Sequence, residues 1–302
     1  ELLMLRIKSI LPKTNNFLYK EPFKYNADYQ IYHYLPKLKY IYTKYEINYD
    51  TSNALKFTQK HMQLPFIIVG LYLLSIVIGK NYMKNKSVSN QKLRNTLTFW
   101  NFSLSLFSFI GALRTVPELL FRISFENNFI DTINKDPSHT WGTGACGLWC
   151  QLFILSKIPE LLDTYFIVAR KRPLIFLHWY HHVTVLLYCW HSFATKAPQA
   201  LYFIAMNFTV HSIMYGYYCL STLRIKPKWL NPKFITFIQV TQMFVGVIIQ
   251  LKSMYLYIFQ KNTLMNKNNL IFGTIMYLSY LLLFVNFAFK KYPVSKHIKK
   301  LT

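Results

Sequence analysis

The sequence predicts an all-α membrane protein with seven transmembrane helices, and three observations lead there. Apolar runs recur along the chain, and about 20 such residues are enough to cross the hydrocarbon layer. The 302 residues are 53% hydrophobic and 18% aromatic, values that would also suit a large soluble core, so run length decides. The formal net charge of +24 is concentrated in alternate connections between the runs, as the positive-inside rule requires.

The chain opens with a basic, Tyr- and Asn-rich segment, residues 1–63, expected to be irregular. It starts at Glu1 without a methionine, as expected of a truncated or processed product. Seven runs follow: Leu64–Gly79, Leu97–Leu120, Gly147–Val168, Pro173–Ala194, Ala200–Leu223, Phe234–Leu251 and Leu270–Phe289. The first, at sixteen residues, is short for a crossing. In the third, Pro159 is expected to open the helix and free a carbonyl. No Gly/Pro-rich linker interrupts the series, so residues 64–289 read as one membrane domain and 290–302 as a basic tail.

One set of connections carries Lys80, Lys84, Lys86, Lys92 and Arg94, then Arg170, Lys171 and Arg172, then Arg224, Lys226, Lys228 and Lys233, and finally the tail lysines. The other set has Arg122 and Lys135 among acids, Lys196, and then Lys252, Lys261 and Lys267. The C-terminus is therefore expected in the cytosol and the N-terminal segment in the lumen, because long segments translocate with little regard to charge. Charge placed in this way speaks for a membrane and against nucleic acid as partner. Lys299 and Lys300, third and fourth from the end, match a dilysine address for the endoplasmic reticulum, and serve equally well as plain tail charge. Cys146, Cys150, Cys189 and Cys219 form neither a disulfide framework nor a zinc pattern, so they read as structural thiols and no metal is expected.

Ionisable groups inside the spans point to function, because carrying them at membrane depth is costly. In Phe176–His182, the side chains of His178, His181 and His182 fall within an arc of about 100° on one helix face. Lys157 and Glu160 are spaced to pair, with Thr164 near the same face and Asp163 slightly to the side. Asn207 lies four residues before His211, with Met214 and Tyr215 one turn on, and an Asn can fix an imidazole tautomer. Gln239 and Gln242 share a face with Thr236, where amides serve equally well as helix glue. At about 1.5 Å per residue, His178–His182 lie roughly 8–14 Å in from Pro173, Gln239 and Gln242 about 9–14 Å in from Lys233, and His211 and Lys157 reach about 20 Å from the other side. Four helices thus bring polar groups to a common depth.

Three chemistries compete for this layer. A diiron desaturase or hydroxylase needs further histidine boxes, yet only His178, His181, His182, His191 and His211 lie in or near the spans. A seven-helix receptor or carrier suits the helix number, and intramembrane Lys, Glu and Asp also suit a proton relay. Acyl transfer accounts for more: a neutral imidazole acts as base or nucleophile and a neighbouring histidine moves the proton. A basic rim of Arg170, Lys171, Lys226 and Lys228 would attract a phosphate-rich carrier such as coenzyme A.

At these motifs the sequence closely resembles the fatty acid elongase family. Lys157–Thr164 fits KxxExxDT, His178–His182 fits HxxHH, Asn207–Tyr215 fits NxxxHxxMY, and Thr236, Gln239 and Gln242 fit TxxQxxQ. Upstream, Trp100-Asn101, Gly111, Arg114 and Pro117-Glu118 fit WN…GxxRxxPE. The likeness runs from about residue 45 to the end, with no departure at a motif position. It implies that the last six helices form a barrel around a closed acyl tunnel. It implies condensation of an acyl-CoA with malonyl-CoA to a 3-ketoacyl-CoA with release of carbon dioxide, with the coenzyme A thioesters as substrates and no cofactor or metal. Under that likeness His181 is the acyl-carrying nucleophile, His182 and His178 assist, and His211 with Asn207 completes the centre. Lys157, Glu160, Asp163, Tyr215, Gln239 and Gln242 contribute to substrate binding. Reductase and dehydratase enzymes of the elongation cycle are the implied partners, and a homo-oligomer is compatible. The run FLHWYHHVTVLLYCW is most similar to the subgroup acting on saturated and monounsaturated chains near palmitate.

Overall fold

In the computed structural model, residues 30–88, 90–125, 132–133, 135–137, 141–225, 227–261 and 263–292 are described. Among the described residues the regular elements are helices, joined by turns and irregular connections, with one isolated antiparallel bridge between Asp50 and Thr143. Three short helices, α1 (Ile31–Tyr34), α2 (Lys44–Ile47) and α3 (Ser52–Lys60), occupy the segment expected to be irregular. They precede α4 (Leu64–Met83), α5 (Asn90–Phe125), α6 (Gly144–Ser156), α7 (Leu162–Ala169), α8 (Phe176–Ala194), α9 (Ala200–Thr222), α10 (Pro232–Phe259) and α11 (Lys267–Lys291). Each of the seven apolar runs is helical, the third as α6 and α7 with a 3₁₀ turn at Pro159–Leu161 between them.

Four helices among the described residues are long and apolar enough to cross a membrane: α4, most of α5, α10 and α11. The broken α6–α7 pair, α8 and α9 fall outside that group. The turn at Pro159–Leu161 leaves α6 and α7 too short, at 13 and 8 residues, and the histidines and Asn207 lower the hydropathy of α8 and α9.

Local signals set the helix ends. Asn231 caps α10 by accepting from the Phe234 N–H at 3.0 Å, with Pro232 opening the helix, and Asn266 caps α11 through the Asn269 N–H at 3.0 Å. The turns after α7, α8 and α9 place Lys171, Lys196 and Arg224 in the left-handed region at φ 50°, 52° and 64°. After α9 the Ile225 N–H reaches Leu220 O and the Arg224 N–H reaches Ser221 O, the paired closure of a Schellman motif. A basic residue there sits beside the negative end of the helix dipole, which offsets part of the backbone strain.

Neighbouring helices follow a closed order. α5 packs along α9, α9 on α10, α10 on α11, α11 on α8, α8 on α6, and α6 on α5. The α5–α9 contact is antiparallel and close: Thr98 bonds Thr222 at 2.8 Å, Ser105 donates to Ser212 O at 2.8 Å, and Gly111 faces Phe208. A Cβ at Gly111 would lie 2.5 Å from that ring, so this approach requires glycine. Phe107, Trp149 and Phe153 meet the edges or faces of Phe208 at centroid distances of 5.1–6.2 Å, favourable aromatic geometry. α4 stands outside the closed order, against α7 and α8.

Candidate active site

The break between α6 and α7 has a geometric use. In a 3₁₀ turn residues three apart eclipse one another, so Lys157, Glu160 and Asp163 come to one side, Asp163 included. Lys157 is 2% exposed, with its ammonium 2.9 and 3.1 Å from the Glu160 oxygens, 3.3 Å from Asn207 Oδ1 and 4.0 Å above the Phe153 ring. Ser156 adds a hydroxyl to Glu160 at 2.8 Å. A buried charge needs such pairing to be tolerated.

This lysine orients the next group. Because Lys157 donates to Asn207 Oδ1, the Asn207 Nδ2 must be the donor to His211 Nε2 at 3.3 Å. His211 is therefore neutral with its proton on Nδ1. Asp163 is held differently, accepting from Trp100 Nε1 and from Tyr215 OH, both at 2.6 Å. Its two oxygens join α5, α7 and α9.

The three histidines of α8 lie in its first two turns. His178 and His182 rings are 4.5 Å apart, and His181 and His182 5.7 Å. His178 Nε2 is bonded to Thr164 Oγ1 at 2.9 Å. Tyr280 packs its ring 5.0 Å from His181 and donates to the His181 carbonyl at 3.2 Å. The ring nitrogens of His181 and His182 have no hydrogen-bond partner among the described residues.

These groups share one cavity of about 420 Å³, lined by His178, His181, His182, Glu160, Asp163, Asn207, His211, Tyr215, Gln239 and Gln242. Gln239 donates to Met214 Sδ at 3.2 Å, and Gln242 lies on the wall. Lys157 stands one bond behind it. A smaller void of about 50 Å³, walled by Phe153, Tyr188, Phe193, Phe203 and Tyr277, meets the first at Asn207.

The basic rim differs from expectation. Arg170 lines the cavity, but so does Arg172 and not Lys171. The left-handed turn at Lys171 sends its side chain to the Lys84 carbonyl at 3.2 Å, while the residues on either side face inward. Lys228 is also absent from the wall, and Lys226, Lys299 and Lys300 lie outside the described residues. Asn101 and Tyr218 join the lining without having been singled out as site residues. The Trp100-Asn101 pair carried a usable signal, whereas Arg172 reads as one more loop cation. Among the described residues no three His, Cys, Asp or Glu side chains converge as metal ligands.

Comparison with known proteins adds an independent line. The sequence matches the family described as ELO: GNS1/SUR4 over residues 57–300. It is 38% identical over 259 residues to Very long chain fatty acid elongase 6 of Drosophila melanogaster, covering 85% of this chain and 80% of that one. With Very long chain fatty acid elongase 3 of Homo sapiens it shares 36% identity over 254 residues, 81% of this chain and 89% of the other. Very long chain fatty acid elongase 4 of Trypanosoma cruzi is 38% identical over 239 residues, or 78% and 82%.

Proposed function

The chain belongs to the GNS1/SUR4 (ELO) family, and from that premise we propose that it joins an acyl group, carried on His181, to the two-carbon unit of malonyl-CoA. It is a very-long-chain fatty acid elongase, a condensing enzyme of the 3-oxoacyl-CoA synthase type. The reading of the site rests on one observation: two imidazoles whose nitrogens have no hydrogen-bond partner among the described residues, His181 and His182, share a cavity with the oriented His211.

A ring nitrogen of His181 attacks the thioester carbonyl, the C–S bond breaks, and CoA leaves as thiol after taking the proton that His182 relays from the acylated imidazole. Malonyl-CoA then loses its carboxylate as CO₂, and the electron pair left behind forms an enolate carbon. That carbon attacks the acyl carbonyl, the C–N bond to His181 breaks, and a proton taken up from solvent through His182 restores the imidazole, since the first proton left with the CoA thiol. The product is a 3-ketoacyl-CoA. His178 and the Nδ1–H of His211 supply donors to the carbonyl oxygen as charge develops on it. Arg170 and Arg172 suit the phosphates of coenzyme A, and the aromatic void past Asn207 suits the acyl chain. No step calls for a metal.

The closed order of α5, α9, α10, α11, α8 and α6–α7 is read as a barrel around an acyl tunnel, with α4 the first of seven spans. Residues 1–63 are lumenal, residues 64–289 form the membrane domain, and the tail 290–302 is cytosolic in the endoplasmic reticulum membrane, with Lys299 and Lys300 as the address. The 3-ketoacyl product must pass to a reductase and then a dehydratase.

The test is incubation of microsomes with labelled malonyl-CoA and palmitoyl-CoA. His181→Ala is expected to accumulate normally and yield no 3-ketoacyl-CoA, and wild-type protein given palmitoyl-CoA alone should gain one palmitoyl mass on His181. Full activity of His181→Ala overturns the acyl-histidine mechanism.

A further inference from the structure

We propose that Tyr72, on the helix outside the closed order, is a positioning residue for the condensation centre, holding His178 through the hydroxyl of Thr164. The inference rests on the reading of the histidine cavity given above and adds a part of the molecule that no motif there includes.

α4 is an outward-facing helix: of its twenty residues only Pro65 and Tyr72 are buried. Phe66, Ile67, Leu71, Leu74, Val77 and Ile78 are all exposed, as a lipid-facing surface should be. Tyr72 is 6% exposed and turned the other way. A tyrosine commonly keeps its hydroxyl at the wet edge of a membrane, so an inward phenol in the body of the helix needs a reason. Its hydroxyl lies 2.7 Å from Thr164 Oγ1, and the same oxygen lies 2.9 Å from His178 Nε2. Two bonds therefore link an outer helix to the first histidine of the triad.

Proton accounting gives the chain a direction. If His178 Nε2 carried a proton and donated it to Thr164, the threonine hydroxyl would donate to Tyr72. The buried Tyr72 hydroxyl would then have no acceptor, since Thr164 is its one partner among the described residues. The reverse arrangement satisfies every group: Tyr72 O–H donates to Thr164, and Thr164 O–H donates to His178 Nε2. His178 is then neutral with its proton on Nδ1, the same tautomer that Lys157 and Asn207 impose on His211. Asp163, beside Thr164 in sequence, is bonded elsewhere, to Trp100 and Tyr215. Two histidines of the cavity are thus set to the same donor form by different helices, while His181 and His182 stay free to react. Without the Tyr72 bond the Thr164 hydroxyl can rotate to donate elsewhere, and His178 divides between two tautomers, one of which points no proton toward the substrate.

Turnover measurements with palmitoyl-CoA and malonyl-CoA test this. Tyr72→Phe is expected to lower kcat about 5–10-fold, the worth of one hydrogen bond at a reacting centre. KM for both substrates should stay within about twofold, since neither substrate is touched. Thr164→Val should do the same or more, Thr164→Ser should restore turnover, and the Tyr72→Phe/Thr164→Val pair should be no slower than Thr164→Val alone. Equal losses in Thr164→Ser and Thr164→Val, multiplicative losses in the pair, or Tyr72→Phe turnover within twofold of wild type overturns the assignment. Turnover is taken per mole of folded protein, so the same twofold threshold applies where Tyr72→Phe accumulates poorly. His181→Ala, assayed alongside, separates the two readings: product from it removes the acyl-histidine step, whereas its inactivity together with a fully active Tyr72→Phe removes only the role of Tyr72.

Discussion

The two ends of α5 both handle buried charge, and they handle it in opposite ways. Near its C-terminal end, residues 30–51 pack onto the helices through closed pairs. Arg122 meets Glu118 at 2.7 Å, and the Ile31 N–H fills the other Glu118 oxygen at 2.9 Å. Glu46 accepts from Arg114 at 2.8 Å, from Trp149 at 2.8 Å and from the Thr43 N–H at 2.8 Å. Toward the other end, where Asn101 and Leu97 reach the large cavity, the lysine, glutamate and aspartate are matched just as fully, but His181 and His182 are left open. Burial of polar groups alone marks neither region as functional. A satisfied pair holds helices together, whereas an unmatched imidazole in a cavity has bonding capacity to spend on a substrate.

Substitutions should separate these roles. The largest effect is expected from His181→Ala, a loss of three or more orders of magnitude in turnover, about 4 kcal/mol or more in the barrier, with the melting temperature in detergent close to wild type. A large drop in that temperature would move His181 to the structural class. Glu118→Ala should show the converse. It breaks the buried Arg122–Glu118 pair and removes the acceptor of the Ile31 N–H, costing about 3–5 kcal/mol, and thermal unfolding should register that loss before any assay does.

Gly273→Ala acts between the two regions. Its Cβ would collide with the Gln250 amide and the Tyr188 hydroxyl, which bond each other at 2.6 Å. Overpacking of this kind costs about 1–3 kcal/mol. Tyr188 also walls the smaller void, so product chain lengths across a panel of acyl-CoA primers should change.

Acid should loosen the closed end specifically. Burial works to raise the Glu46 carboxyl, but the bonds from Arg114, Thr43 and Trp149 outweigh it and hold the group at about 2, below its ordinary 4.5. A depressed carboxyl contributes stability that is complete above its unfolded value and fades as pH falls through the folded one. Hydrogen-exchange protection factors around residues 43–51, referred to the slower intrinsic exchange in acid, should therefore fall between about pH 4.5 and 2, and Glu46→Gln should remove that dependence. The smallest expected effect lies at the C-terminal end of α9: Arg224→Gly relieves the left-handed backbone at φ 64° and should stabilise by about 1 kcal/mol, less the lost interaction with the helix end.

Much of this was legible without coordinates. Apolar run length marked where the main helices lie, and 3.6-residue spacing put His178, His181 and His182 on one face and Asn207 beside His211, because these relations stay within one helix. Only the tertiary structure decided which helix meets which: Lys157 on Asn207, Trp100 and Tyr215 on Asp163, and Tyr72 behind Thr164. It also chose Arg172 over Lys171 for the cavity wall, through a single left-handed residue. The physical reason is range. Helix periodicity is written in neighbours three and four apart, whereas a hydrogen bond between helices depends on how the whole set packs, to within a few tenths of an ångström that no local pattern records.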